Sequence, residues 1–579
     1  MTLFSLNEDV LRVIFSSLHG KDALNLSLTS KSIHDLAIHR VAAVAVCKDG
    51  RDLRLLHRYL FFGARPRGRY LERLSIYKNY GLSLDEEAWY ARPAVSTETY
   101  DNDSYYDWTR LNLILDILMN APNLRHLKLP LLHPALERDP RLLDALRALP
   151  RLLSLNFDTV GDTTVTFMQS LCCSGLQRLA LEFHCRSVAL RYEIKGEHIT
   201  LTSLTDTLAR CPRLRSLRLE LFRPKSSLLD DTGYSARILP AIRSIDLWGV
   251  SPQALDLVQL CPNVSSVDFG LFEVTLSHDA ALSSTERRAG PPWPALRSLT
   301  VATLVEAVCV QDLVSEVHRL HVRRDEIDLA HPDGYTFPVL LEVLRRSSPV
   351  GLFLSLAVRP EPMVFWREVA VAAPRLRYLE LKLTVEQLSL DHFGWLDRLP
   401  DALRPLSLVS LRIFLPRLSD RNRPYTAGQK AVVKQLERDR NESVETLPQG
   451  LADAIPSLRF VSIAAEGPST TFNDISMAGL DEEEGPEDTT ERPTVEQEEE
   501  PERRLNALPL YNKWRIREGE TLPFDRKPAY VRWWRVRPDG VDGRGRHLTE
   551  ISQLEGERVQ SFLDDGDFAS VSRIGDIVQ

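Results

Sequence analysis

The 579-residue chain has no run approaching the roughly eighteen apolar residues that a membrane-crossing helix needs, and Glu8, Asp9 and Arg12 stand where a secretory leader would carry its apolar stretch. Both absences point to an intracellular protein of the cytoplasm, the nucleus or both, with no membrane partner. Cysteine is scarce: seven residues, Cys47, Cys172, Cys173, Cys185, Cys211, Cys261 and Cys309, an odd number with no pair at zinc-site spacing and no disulfide framework. There is no P-loop, dinucleotide fingerprint, nucleophile elbow or metal-binding helix. The nearest thing to a reactive cluster, Cys172-Cys173 with His184-Cys185, reads as packing on strand edges. No catalytic residue, cofactor or metal is assigned, so the expectation is a protein that holds a partner and not an enzyme. Strong charge of one sign is missing as well. The net −8 is misleading, because residues 481–502 hold twelve acids and one base; without their −11 the remainder is +3. That leaves no basic footprint for nucleic acid, an unlikely partner on this ground.

What the chain does have is one phrase, repeated: Pro, one residue, Leu, two residues, Leu, one residue, Leu. It stands at Pro122-Asn-Leu124-Arg-His-Leu127-Lys-Leu129 and recurs from Pro150, Pro212, Pro240, Pro262, Pro294, Pro374 and Pro456, with looser copies at Leu71, Leu176 and Val317. The Leu-x-Leu alternation predicts a short half-buried strand. Apolar residues at helical spacing precede several copies (Leu111, Ile114, Leu115 and Leu118 before Pro122), and proline closes each helix because the residue before it is pushed from the helical region. Cys211 and Cys261 occupy the same place before a repeat proline and are expected in the core. One helix–proline–strand unit cannot bury its own apolar edge, so neighbours must stack. A leucine-rich coiled coil would be interrupted by proline in every unit. Over residues 65–465 the chain resembles the leucine-rich repeat family, with adjacent clean copies 22 to 32 residues apart against a family period of roughly 20–29; the family's buried Asn or Cys after the strand is missing. The resemblance implies an α/β fold, a leucine-rich-repeat-like solenoid over 46–465.

Before the repeats comes an apolar helical block. Val10, Leu11, Ile14, Phe15 and Leu18 share one helical face, Ser5 with Glu8 could form a capping box, a break follows at His19-Gly20, and Ser30 is placed to cap a third helix carrying Ile33, Leu36 and Ala37. In order and type, Leu6, Val10, Leu11, Ile14, Leu18, Asp22, Leu24, Leu28, Ser30, Lys31 and Leu36 resemble the F-box, a three-helix module, here over 1–45. The F-box has Pro after its first Leu; this chain has Asn7. Together with the repeats and the junction at Leu53–Leu71, the pattern resembles fungal F-box proteins with leucine-rich repeats. The resemblance implies a Skp-family adaptor, and through it a cullin ubiquitin ligase, bound by Leu6, Asn7, Val10, Leu11, Ile14, Leu18, Leu24 and Leu28. Leu11, Ile14 and Leu24 are expected as the exposed stripe.

Residues 83–108, 278–292 and 416–446 lack either period and read as surface insertions. Residues 466–504 are acidic, contain proline and are nearly free of large apolar residues, so a disordered linker is expected. Residues 505–540, with Trp514, Trp533 and Trp534 among arginines, are expected to pack on the end of the repeats, and 541–579 to be loose. The outward residues of successive strands, Lys128, Asn156, Arg218, Asp246, Trp248, His321, Glu380 and Arg412, are the candidate surface for an unknown protein target, their mixed signs fitting a protein and not a polyanion. Two other readings stay open: a repeat scaffold whose F-box no longer binds an adaptor, and a nucleic-acid-associated protein using the Trp/Arg-rich segment through stacking and phosphate contacts.

Overall fold

The computed structural model describes residues 7–18, 20–62, 66–77, 107–170, 174–183, 199–224, 237–271, 292–327, 336–357, 363–384, 396–415, 427–465, 530–538 and 546–565. The chain is a mixed α/β protein in two compact units, 1–264 and 265–579. Most of the 466–504 segment's neighbours, Trp514 and the cluster Cys172, Cys173, His184 and Cys185 lie outside the described residues, as does 466–504 itself.

The first unit opens with three helices, α1 (Glu8–Ser17), α2 (Gly20–Ser27) and α3 (Lys31–Ala43). Seven strands follow: β1 (Val44–Cys47), β2 (Arg73–Ile76), β3 (His126–Leu129), β4 (Ser154–Val160), β5 (Arg178–Phe183), β6 (Ser216–Glu220) and β7 (Ser244–Val250). Each pairs in parallel with the next in sequence. Parallel neighbours need crossovers, which here are mostly short helices: α4 (Gly50–Phe61), α5 (Thr109–Met119), α6 (Leu132–Arg138), α7 (Arg141–Arg147), α8 (Asp162–Ser170), α9 (Leu201–Leu208) and α10 (Asp256–Gln259).

The second unit continues the plan with β8 (Ser266–Leu271), β9 (Leu296–Val301), β10 (Val317–Ile327), β11 (Gly351–Ala357), β12 (Tyr378–Thr384), β13 (Ser410–Leu415) and β14 (Phe460–Ala465), all parallel. Its helices are α11 (Leu304–Val310), α12 (Thr336–Ser347), α13 (Met363–Ala372), α14 (Leu399–Leu403) and α15 (Ala427–Ala454). Two strands then reverse direction: β15 (Tyr530–Pro538) lies antiparallel against β14, and β16 (Arg546–Ile551) antiparallel against β15, before a last helix, α16 (Gln553–Asp565).

The repeat phrase has a backbone explanation. The carbonyl of the residue before the proline accepts from the amide three residues on, at 3.0 Å for Ala121–Leu124, Cys211–Leu214, Cys261–Val264 and Ala373–Leu376 and at 3.1 Å for Ile455–Leu458. Proline therefore occupies the second position of a turn, where its fixed φ fits and its missing N–H costs nothing. Next, one carbonyl serves two amides of the following strand: Arg125 for Leu153 and Ser154, Gln177 for Arg215 and Ser216, Arg377 for Val409 and Ser410. Then the alternating pair buries: Leu217 and Leu219, Ile245 and Leu247, Leu379 and Leu381 are all core residues. In the first unit the exit from the strand is left-handed. Leu131, Thr159, Leu221 and Gly249 all have φ between 52° and 60°, each two residues past the second apolar residue of its alternating pair, Leu129, Phe157, Leu219 and Leu247.

Five expectations need correction. The cap of α1 is Asn7, whose Oδ1 accepts from the Asp9 amide at 3.2 Å, and not Ser5; a helix starting at Glu8 leaves Ser5 too far upstream. The stretch 416–446 is not all irregular, since α15 begins at Ala427; Val444, Leu447 and Leu451 are buried at helical spacing, and its polar half is supported by bonds such as Gln435 Nε2 to Asp439 at 2.7 Å. The tail expected to be loose over 541–579 carries β16 and α16, because β15 offers β16 a backbone edge and α16 buries Val559 and Leu563. The fourth and fifth concern Leu11 and Glu380 and are given with the surfaces they belong to.

Candidate functional site

The three-helix block has a core of Leu11, Phe15, Ile33 and Ala37, with Leu18 and Leu26 half-buried against it. Ser30 caps α3 by accepting from the Ile33 amide at 3.2 Å, and Arg40 Nε ties α3 to the Leu18 carbonyl at 2.7 Å. Leu11, expected in the exposed stripe, is only 6% exposed. The reason is geometric: 11, 15 and 18 form the face turned to α3, which leaves 10, 13 and 14 on the other flank of α1. That flank shows Val10 at 45% and Val13 at 69%, with Ile14 half-buried; α2 shows Leu24 at 42% and Leu28 at 76%. Four exposed aliphatic side chains on so small a block mark a surface made to be covered. Val13 was not singled out from the sequence, although a helical wheel places it beside Val10. Asn7 is exposed at the start of α1 with φ −59°, a value proline also adopts. Leu6 lies outside the described residues.

The outward strand residues are set in rows by the parallel register. In the first unit Lys128 pairs with Asn156, Asn156 with Ala180, Ala180 with Arg218 and Arg218 with Asp246. One row thus joins four of the candidates, with Ala180 the member missed. Trp248 stands in the next row, opposite Glu220, and is half-buried. Arg218 donates to Glu220 at 2.6 Å and lies 3.5 Å from Asp246. Burial pushes the Glu220 carboxyl up, and although Arg218 draws it down, Glu182 and Asp246 push it up further.

In the second unit His321 pairs with Phe353, Phe353 with Glu380, Glu380 with Arg412 and Arg412 with Ser462, and Ser462 then faces Trp533 across the antiparallel pair. The expectation that Glu380 is exposed does not hold: it is buried, receives the Tyr378 hydroxyl and lies 3.9 Å from Arg412. His321 stacks on Phe353 with ring centroids 5.6 Å apart and planes 11° apart. Burial, with Arg319 and Arg323 adding to it, pushes its imidazole down to about 3. Arg412 stands over the rings of Phe414 and Trp533 at 4.6 and 5.7 Å. The row is covered because α16 packs on this face: Val559 and Leu563 join Val350, Tyr378, Val409, Phe460 and Trp533 in one apolar cluster. Nothing in the repeat phrase signals that contact.

The remaining chemistry is quiet among the described residues. Burial pushes the thiols of Cys47 and Cys261 up to about 12, with Asp52 and Asp49 contributing at Cys47, so neither supplies a thiolate at neutral pH. No group of three metal-ligating side chains is assembled among the described residues, and none of the described helices is long and apolar enough to cross a membrane.

Compared with known proteins, residues 3–40 match the family model of the F-box domain. No curated protein matches the chain.

Proposed function

We propose that this chain is the substrate-recognition subunit of a Skp–cullin–F-box ubiquitin ligase, with the F-box domain holding a Skp-family adaptor and the repeat faces holding a protein target. The F-box domain itself suggests a ligase adaptor role. The observation that carries the reading further is the coincidence of that domain with Val10, Val13, Leu24 and Leu28, an apolar surface with its own core behind it. The leucine-rich-repeat solenoid of fungal type is part of the proposal. It is supported by the Pro-initiated turns, the Leu-x-Leu strands and the parallel pairing of sequence neighbours. On this reading the chain works in the cytoplasm, the nucleus or both, and chemistry on the target belongs to other subunits.

Co-precipitation with a Skp-family adaptor is the direct test. Capture by the full chain, lost on Val10→Asp with Val13→Asp, supports it. No capture by the natural chain would favour a repeat scaffold in which Asn7 has ended adaptor binding. The nucleic-acid reading fares worse on the geometry. Trp533 and Trp534 are buried, and Arg532 is engaged by Glu550 at 2.7 Å and by Glu445, so the two indoles and that guanidinium are already taken.

A further inference from the structure

The face of the second unit that carries Tyr378, Phe460 and Trp533 already has an occupant. α16 lies on it through a narrow stripe: Gly556, Val559 and Leu563 are buried, while Leu554, Glu557, Arg558 and Ser561 are exposed. Buried positions at i, i+3 and i+7 are the pattern of an amphipathic helix laid into a groove. Gly556 sets the depth of the seat. A Cβ there would stand 2.3 Å from Cδ1 and Cγ of Trp533, so the helix backbone rests directly on the indole, which only glycine allows. Gln560 Oε1 lies 3.2 Å from the Tyr378 hydroxyl, and Glu555 lies 3.7 Å from Arg535. The charges are complementary. α16 has Glu555 and Glu557 against Arg558 alone, while Arg319 and Arg412 stand over the Tyr378 and Trp533 rings at 5.3 and 5.7 Å, with Glu380 3.9 Å from Arg412.

The start of the helix is fixed by local bonds and not by the sheet. Ser552, the single residue between β16 and α16, forms a capping box: its hydroxyl accepts from the Glu555 amide at 3.3 Å, and Glu555 Oε2 accepts from the Ser552 amide at 3.1 Å. One residue is the whole connection, so a change of backbone angles there would swing α16 off without unpairing β16.

We propose that this face is a receptor for an acidic amphipathic helix, that α16 is the chain's own occupant of it, and that a target protein binds by presenting a like helix in its place. The partner helix carries a small residue against Trp533, apolar residues three and seven positions later, and net negative charge. The proposal rests on the repeat surface being the target-binding part of the chain, but it is tested without adaptor, so either idea can fail alone. A tethered helix competes at an effective concentration on the order of millimolar; a free peptide should therefore bind only when α16 is released.

The probe is a fluorescein-labelled peptide of residues 551–565, titrated into the full-length chain and followed by anisotropy. The chain with Val559→Asp and Leu563→Asp should bind it at least tenfold more tightly than the natural chain, and the same peptide carrying Gly556→Leu should bind neither. Equal binding by the two chains, or equal binding of the two peptides, would overturn the proposal. Should the double variant lose its melting transition, hydrogen exchange on the natural chain decides. Amides of Val559–Leu563 exchanging at least tenfold faster than those of Val461 and Ile463 support a displaceable occupant. Equal protection would make α16 a fixed part of the fold and end the proposal.

Discussion

Gly249 and Leu221 hold the same left-handed position in adjacent repeats, and a Cβ placed on Gly249 would come 2.8 Å from Cδ2 of Leu221. The two are further linked by the Leu221 amide, which donates to the Trp248 carbonyl at 2.7 Å. At φ +60° an L-residue pays a steric cost that glycine escapes. Gly249→Ala should therefore destabilise the first unit by about 1–3 kcal/mol through strain and the close contact together. Denaturant unfolding measures it; an unchanged midpoint would mean that the loop simply takes another path.

The strand cores give a second expectation. Leu217 is buried between neighbouring strands, whereas Arg218 beside it is about half exposed and bound to Glu220 and Asp246. Leu217→Ala should cost about 2–5 kcal/mol, and Arg218→Ala no more than about 1 kcal/mol, as befits an exposed ion pair. Because stacked units depend mainly on their neighbours, hydrogen exchange should quicken in β5 and β7 before β2 or β3. A uniform loss of protection would contradict that picture.

The F-box domain separates fold from binding. Phe15→Ala should cost about 3–5 kcal/mol and unfold the block, so adaptor capture would fall with it. Val10→Asp with Val13→Asp alters exposed positions only and should abolish capture while leaving the melting temperature within about 2–4 °C of natural. Asn7→Ala should cost about 1 kcal/mol by removing the cap. Asn7→Pro, whose φ the backbone already accommodates, should strengthen capture. Capture that survives the double aspartate variant would place the adaptor on another face.

These results show where a sequence can be read and where it cannot. The Leu217-Arg218-Leu219 alternation and the proline turns are local, so they were legible. Which flank of α1 is buried was not, because Val10, Val13 and Ile14 are as apolar as Leu11, Phe15 and Leu18, and the choice is made by Ile33 and Ala37 on α3. The pairing of Val461 with Trp534 spans the acidic segment and leaves no trace in either strand alone. Glu380 looked outward by alternation, correctly, but the Tyr378 hydroxyl, Arg412 and the cover of α16 bury it. An outward residue is exposed only if nothing else in the chain comes to rest there.

His321 supplies a pH dependence with a definite sign. Its imidazole is pushed from the ordinary 6.5 down to about 3 by burial and by Arg319 and Arg323. Between those values the unfolded chain takes up a proton that the folded chain refuses, so the contribution of His321 is full above pH 6.5 and is lost as pH falls toward 3. His126 and His318 are also lowered, chiefly by burial, and act in the same direction. His321→Phe keeps a ring to stack on Phe353 while removing the titrating group. The loss of stability between pH 7 and pH 5 should therefore be smaller in the variant than in the natural chain. Denaturant midpoints at the two pH values check this. Equal losses would mean that the His321 imidazole takes up its proton as readily in the folded chain as in the unfolded one.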